Sequence, residues 1–85
     1  MITTLEISMY PLREHYVPAI DVLIELLEQR AATADFKVEV FPTCTLVCGA
    51  FEVVFGAVQE CIAAAQQQCG QAVYLLKVIP DYRGL

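Results

Sequence analysis

Hydrophobic and polar residues alternate strictly along the first ten positions of the chain. Leu5, Ile7 and Met9 are apolar, polar residues lie between them, and Pro11 follows the run. A period of two residues is typical of a strand that buries one face and exposes the other. The pattern therefore predicts a first strand whose second face carries two hydroxyls, a carboxylate and a phenol, from Thr4, Glu6, Ser8 and Tyr10.

Two later segments have the spacing of amphipathic helices. Apolar residues recur every three or four positions from residue 20 to residue 31, and Pro18 fits the first turn, where its missing N–H costs no hydrogen bond. This helix is expected to end near Ala32. The second helix is predicted over residues 51–69, with Gly70 as its C-terminal stop.

Three further strands complete the pattern. Residues 36–41 alternate up to Pro42, and residues 44–48 are rich in Thr, Leu and Val and end at Gly49. The short connection between these strands predicts a hairpin. The last strand is predicted over residues 72–79, before Pro80.

The order strand, helix, strand, strand, helix, strand predicts an α+β fold, the ferredoxin-like βαββαβ sandwich, with two helices on one face of a four-stranded antiparallel sheet. All 85 residues (1–85) fit one such domain. The other sheet face has no helix to cover it, yet the last strand is apolar on both sides, with Lys77 as its only charge. A strand of that kind is normally covered twice, so we expect a second subunit on the open face.

Composition favours association with another protein subunit and argues against a nucleic-acid partner. Apolar residues make up 58% of the chain, more than one small core needs, and the net charge is −5. An acidic chain is a poor match for nucleic acid, which requires clustered Lys and Arg. We expect no membrane span, because no apolar run approaches about 18 to 20 residues, and no signal peptide, which together favour a cytoplasmic location.

The cysteines and the single histidine give little sign of metal or redox chemistry. In an extended strand the α-carbons of Cys44 and Cys48 would lie about 13 Å apart, too far for a disulfide. Cys61 and Cys69 would lie about 12 Å apart along a helix, and neither pair has zinc-knuckle spacing. Free, mostly buried thiols and no metal site are therefore expected. His15, near the loop before the first helix, is read as an exposed histidine.

Several segments resemble the YkoF-like thiamine-binding family. The similar segments are Glu6-Ile7-Ser8-Met9-Tyr10-Pro11-Leu12, Thr43-Cys44-Thr45-Leu46-Val47-Cys48-Gly49, Glu52 and Phe55, and Asp81-Tyr82-Arg83. The resemblance runs over essentially the whole chain in the same element order. It implies a non-catalytic, cofactor-free protein that binds thiamine or its hydroxymethylpyrimidine portion and pairs its sheet with another copy, as a dimer or tetramer.

The same resemblance suggests a set of ligand-binding residues. Glu6, Ser8 and Thr45 are the polar candidates for the aminopyrimidine, and Tyr10, Phe41 and Tyr74 are the aromatic candidates. Glu6→Gln is expected to weaken ligand binding, although Glu6 paired with Lys77 is the simpler alternative. Two other functions remain open: a module that binds another protein through its open sheet face, and a thiol sensor that uses Cys44 and Cys48 across a subunit boundary. An enzyme is disfavoured, because the sequence has no recognisable acid and base pair.

Overall fold

The computed structural model describes residues 1–14 and 17–85. This part of the chain forms four strands and two helices, in the order β1 (Ile2–Pro11), α1 (Val17–Thr33), β2 (Phe36–Val40), β3 (Thr45–Ala50), α2 (Phe51–Cys69) and β4 (Ala72–Ile79). The strands form one antiparallel sheet in the order β2-β3-β1-β4. The predicted ferredoxin-like βαββαβ fold is confirmed, while the prediction for His15 falls outside the described residues.

The core lies between the sheet and the two helices. The apolar residues of β1 face the helices, as the alternation predicts, and Leu5 and Ile7 are almost completely buried. They join one cluster with Leu23 and Leu27 of α1 and with residues of α2, namely Val54, Ala57, Val58, Cys61 and Ala65. Each helix therefore buries a single stripe, the arrangement expected of an amphipathic helix on a sheet.

The predicted bounds of the hairpin are wrong at two points. The Phe41 N–H donates to the Cys44 carbonyl at 2.8 Å, so these residues belong to the turn, and β3 begins at Thr45. Gly49 does not end the strand, because it pairs with Thr3 on one side and Phe36 on the other. A Cβ at Gly49 would lie 2.7 Å from the Phe36 Cβ, so glycine is needed for close approach.

The direction of each backbone group in the sheet follows from one terminal hydrogen bond. The Leu12 N–H donates to the Gln71 carbonyl at 3.1 Å, next to the β1–β4 ladder. Hydrogen-bonded and non-hydrogen-bonded pairs alternate in antiparallel sheets. The even-numbered residues of β1 therefore direct N–H and C=O towards β4, and the odd-numbered residues direct them towards β3.

The sheet face away from the helices is largely apolar around a few polar groups. We call it the open face; its central residues are Glu6, Ser8, Tyr10, Leu46, Val73, Leu75, Lys77 and Ile79. Much of both sides of β4 is accessible, because the helices contact mainly the other three strands. On the open face Leu75 is 55% exposed, and on the helix side Leu76 and Val78 are each 40% exposed.

Candidate functional site

The candidate site arises where β1 continues past the start of β3. β1 spans Ile2–Pro11, but its pairing with β3 stops at Ile7, opposite Thr45. Beyond that pair the β3 side of β1 has no neighbouring strand. Met9 is odd-numbered, so its backbone N–H and C=O point into this gap, where a ligand can meet one donor and one acceptor.

A cavity of about 470 Å³ occupies the gap. Its walls come from the last residues of β1, the first turns of α1 and the β2–β3 hairpin. This volume falls within the usual range for small-molecule pockets, roughly 300 to 1,000 Å³. The described lining residues are Ile7, Ser8, Met9, Tyr10, Pro11, Ile20, Leu23, Ile24, Val40, Phe41, Pro42, Thr43, Cys44 and Thr45.

The described wall of the cavity is apolar with a few neutral polar groups. None of these lining residues carries a carboxylate, an ammonium or a guanidinium, and the hydroxyls come from Ser8, Tyr10, Thr43 and Thr45. Ser8 Oγ donates to the Thr43 carbonyl at 3.1 Å, which links β1 to the hairpin turn. Such a wall suits an uncharged, flat ligand with a small number of hydrogen-bonding groups.

Four of the six sequence-predicted site residues line this cavity. Thr45 is buried, whereas Tyr10 and Phe41 are about half exposed and add aromatic side chains to the lining. Ser8 is the fourth. Thr45 lies on the helix side of the sheet, because it pairs with the core residue Ile7.

Glu6 is not among the lining residues of the cavity. It lies on the open face, opposite Lys77 in the β1–β4 ladder, and Lys77 Nζ is 3.8 Å from Glu6 Oε1. Both side chains are accessible to water, so this ion pair contributes little stability. The simpler alternative for Glu6, a pair with Lys77, matches this geometry.

Tyr74 also lies away from the cavity lining. It is opposite Met9 on the helix side of β4, and its hydroxyl is buried with no hydrogen-bond partner in the described part of the chain. Burial raises the pKa of Tyr74, and the nearby Cys69 raises it further. The phenol is therefore held neutral within the protein.

Sequence reasoning missed the contribution of α1 to the site. Ile20, Leu23 and Ile24 line the cavity although their spacing marked them only as core residues. The sequence feature that could have indicated this cavity is the position of the hairpin turn. Pro42 and Thr43 turn the chain before β3 can extend alongside the end of β1, and this leaves the gap open.

A second polar cluster lies where the chain after β4 crosses the sheet. Residues 81–85, the C-terminal segment, cover Thr4 on the side away from the helices. Thr4 Oγ1 donates to the Tyr82 carbonyl at 2.8 Å and accepts from the Gly84 N–H at 2.9 Å. It also lies 3.5 Å from Cys48 Sγ. One end of the sheet surface is thus covered by the chain itself.

The thiols divide into buried and half-buried pairs. All four cysteines are free. Cys48 and Cys61 are buried, whereas Cys44 and Cys69 are partly accessible. The expectation of mostly buried thiols therefore holds for two of the four. Burial raises the pKa of Cys61, partly offset by Arg30. At Cys48 burial also acts to raise the pKa, but hydrogen bonds from Thr4 and from the backbone of the C-terminal segment, with the charge of Arg83, lower it overall.

Two features are absent from the described residues. Within residues 1–14 and 17–85, no group of three or more His, Cys, Asp or Glu side chains is placed to hold a metal ion. Neither α1 nor α2 is long and apolar enough to cross a membrane.

Comparison with solved structures shows that the fold is shared by several proteins. A protein from Thermotoga maritima, provisionally described as a thiamine biosynthesis or salvage protein, is 25% identical, with a TM-score of 0.71 over 98% of this chain and 85% of that chain. A Streptococcus pneumoniae protein is 17% identical, with a TM-score of 0.76 over 96% of this chain and 89% of that one.

A third similar structure is the DUF77 domain of unknown function from Bacillus cereus. It is 21% identical, with a TM-score of 0.74 over 98% of this chain and 77% of that one. No protein-family model matches the chain, and no curated protein matches it. The chain therefore has the fold of these proteins, one of which carries a thiamine-related description.

Proposed function

We propose that the chain is a non-catalytic protein of the YkoF-like type that binds thiamine or its hydroxymethylpyrimidine portion. The observation that carries the proposal is the neutral cavity at the end of β1, with its adjacent backbone and hydroxyl groups. The thiamine-related description of the Thermotoga maritima protein supports the ligand class. The ligand-binding residues are Ser8, Tyr10, Phe41 and Thr45.

The chemistry of the wall favours the pyrimidine half of thiamine. An aminopyrimidine is flat and neutral, and its exocyclic amine lies beside a ring nitrogen, so it presents a donor next to an acceptor. The Met9 peptide edge offers the complementary pair. The Thr45 hydroxyl adds a group that can donate or accept, and the Ser8 hydroxyl, which donates its proton to the Thr43 carbonyl, can accept. Tyr10 and Phe41 can contact the ring faces. The thiazolium cation has no counter-charge among the described lining residues and would extend towards solvent.

We propose further that the chain acts in the cytoplasm as a homo-oligomer that packs open face against open face. This face exposes the apolar side chains of Val73, Leu75 and Ile79, and exposing apolar surface to water costs free energy. Glu6 and Lys77 would meet the partner as a pair, which reduces the cost of burying either charge. The four free thiols fit a reducing compartment.

The first experiment is thermal unfolding at fixed protein concentration with thiamine, hydroxymethylpyrimidine or neither. A ligand at about 100 times its dissociation constant adds roughly 2.7 kcal/mol to the folded state. We expect both compounds to raise the melting temperature, because both carry the pyrimidine. If neither compound has an effect, the binding proposal fails and the module that binds another protein becomes the better account.

Two variants locate the ligand. Thr45→Val keeps the shape of the side chain and removes its hydroxyl, so we expect the dissociation constant to rise by about 2- to 13-fold, equivalent to about 0.5 to 1.5 kcal/mol. Glu6→Gln is the matched control. The sequence alone suggests weaker binding in this variant, but Glu6 lies outside the cavity lining, so the proposed site requires that binding be unchanged. Weaker binding in Glu6→Gln with normal binding in Thr45→Val would move the site to the open face.

A further inference from the structure

The cavity at the end of β1 contains a thiol that the proposed pyrimidine contacts do not use. Cys44 lies in the turn between β2 and β3 and is one of the described lining residues. The thiol is free and partly accessible, and the Cys44 carbonyl accepts from the Phe41 N–H at 2.8 Å, which ties this residue into the turn. Thiolates are nucleophiles, so a thiol in a ligand cavity can react with a bound molecule that carries an electrophilic sulfur.

An unpartnered hydroxyl in the same cavity indicates that this part of the wall receives a ligand. Thr45 lines the cavity although it is only 6% exposed. Its Oγ1 makes no hydrogen bond with any residue of the described ranges 1–14 and 17–85. Buried hydroxyls normally have a partner. The Thr45 hydroxyl is thus available to a polar group of a molecule bound against this turn.

The charge of the wall limits which form of thiamine the cavity can enclose. None of the described lining residues carries a carboxylate, an ammonium or a guanidinium. A buried cation without a counter-charge costs far more free energy than a buried neutral group. In alkaline water the thiazolium ring of thiamine opens to a thiol, and oxidation joins two such thiols in a disulfide. This disulfide keeps the aminopyrimidines, carries no cation and presents the sulfur–sulfur bond that a thiolate attacks.

We propose, on the basis of the pyrimidine binding proposed above, that the cavity takes this ring-opened disulfide of thiamine and that Cys44 captures one half of it. The Cys44 thiol loses its proton to water, and the thiolate attacks one sulfur of the ligand. A new disulfide bond joins Cys44 to that half while the ligand's own disulfide bond breaks. The other half leaves as a thiolate and takes up a proton. Cys44 is oxidised, one ligand sulfur is reduced, and no further oxidant is needed.

Cys69 provides a matched control within the same chain. Like Cys44 it is free and partly accessible, but it ends α2 and is not among the described lining residues of the cavity. Its carbonyl accepts from Arg13 Nη1 at 3.2 Å. Cys48 and Cys61 are buried and should not react while the protein is folded. Selective reaction at Cys44 therefore reports binding in the cavity rather than exposure of the thiol.

The test is mass spectrometry of the intact protein and its peptides after reaction with thiamine disulfide at about pH 8. We expect a half-thiamine adduct at Cys44, which dithiothreitol removes. Cys44→Ser should lose the adduct, whereas Cys69→Ser should react as fast as the parent protein. Hydroxyethyl disulfide, which lacks the pyrimidine, is the reference reagent. The ratio of the Cys44 rate to the Cys69 rate should be at least about 10-fold higher with thiamine disulfide, equivalent to about 1.4 kcal/mol of pyrimidine binding.

Hydroxymethylpyrimidine separates capture at Cys44 from the proposed function. At about ten times its dissociation constant it should slow the reaction of Cys44 about 11-fold, because only the free protein reacts, and leave Cys69 unaffected. Equal rate ratios with the two disulfides, or an adduct that remains in Cys44→Ser, would overturn the capture. If hydroxymethylpyrimidine still raises the melting temperature of the parent protein in that case, the proposed binding stands. If it has no effect on the melting temperature, both proposals fail.

Discussion

Thr3 and Thr4 are adjacent in β1, and the same substitution should change stability in opposite directions at the two positions. Both side chains are buried. Thr4 Oγ1 bonds the Tyr82 carbonyl and the Gly84 N–H of the C-terminal segment. The Thr3 hydroxyl is buried with no partner among the described residues. Valine has nearly the shape of threonine, so the substitutions isolate the hydroxyl.

The magnitudes follow from the two environments. Thr4→Val removes two hydrogen bonds, each with a net value of about 0.5 to 1.5 kcal/mol, so the free energy of unfolding should fall by about 1 to 3 kcal/mol. Thr3→Val removes a buried polar atom that gains nothing from the fold, so that free energy should stay level or rise by up to about 1 to 2 kcal/mol. In a domain of this size, each kcal/mol corresponds to about 4 to 8 °C in melting temperature.

Urea unfolding at pH 7 and one protein concentration measures both variants. Alkylation of Cys48 adds a local readout, since this thiol lies beneath the same C-terminal segment and should react faster in Thr4→Val. Equal losses of stability in the two variants would refute the assignment of different roles to the hydroxyls. Unchanged reactivity of Cys48 in a destabilised Thr4→Val would show that the segment stays in place without this anchor.

Two further predictions concern packing and titration. Gly49→Ala should destabilise the fold by about 1 to 3 kcal/mol, because the added methyl group would clash with Phe36. Gly56→Ala, in open space within α2, should stabilise the fold by about 0.5 to 1 kcal/mol in the same unfolding assay. A Gly49→Ala variant as stable as the parent protein would contradict the close approach of Gly49 to Phe36. Tyr74→Phe should lessen the loss of stability as pH rises above about 10, since the pKa of Tyr74 is raised in the folded state and the unfolded phenol ionises first. Unfolding curves at pH 7 and pH 10.5 should differ less in this variant than in the parent protein, and an equal difference would show that Tyr74 does not contribute to the alkaline loss.

Periodicity predicted the faces of β1 and the order of the elements correctly because each depends on neighbours along the chain. The alternation from Leu5 to Met9 contains one apolar face, so only one register buries it. β3 has apolar residues on both sides, with Val47 facing the helices and Leu46 facing the other way. The pattern of β3 therefore does not determine on which side of the sheet Thr45 lies. The sequence analysis placed Thr45 and Glu6 in one set of ligand-binding residues, although the two side chains lie on opposite sides of the sheet.

The cavity depends on a relation between strands that no local pattern contains. The cavity exists because β1 extends beyond the start of β3, past the pair of Ile7 with Thr45, and because Ile20 and Ile24 of α1 cover the gap. The length of each strand could be estimated from composition, but the offset between them is set by the Phe41–Cys44 turn and the strand register. The sequence therefore identified polar and aromatic candidates, but it did not show which of them line one cavity.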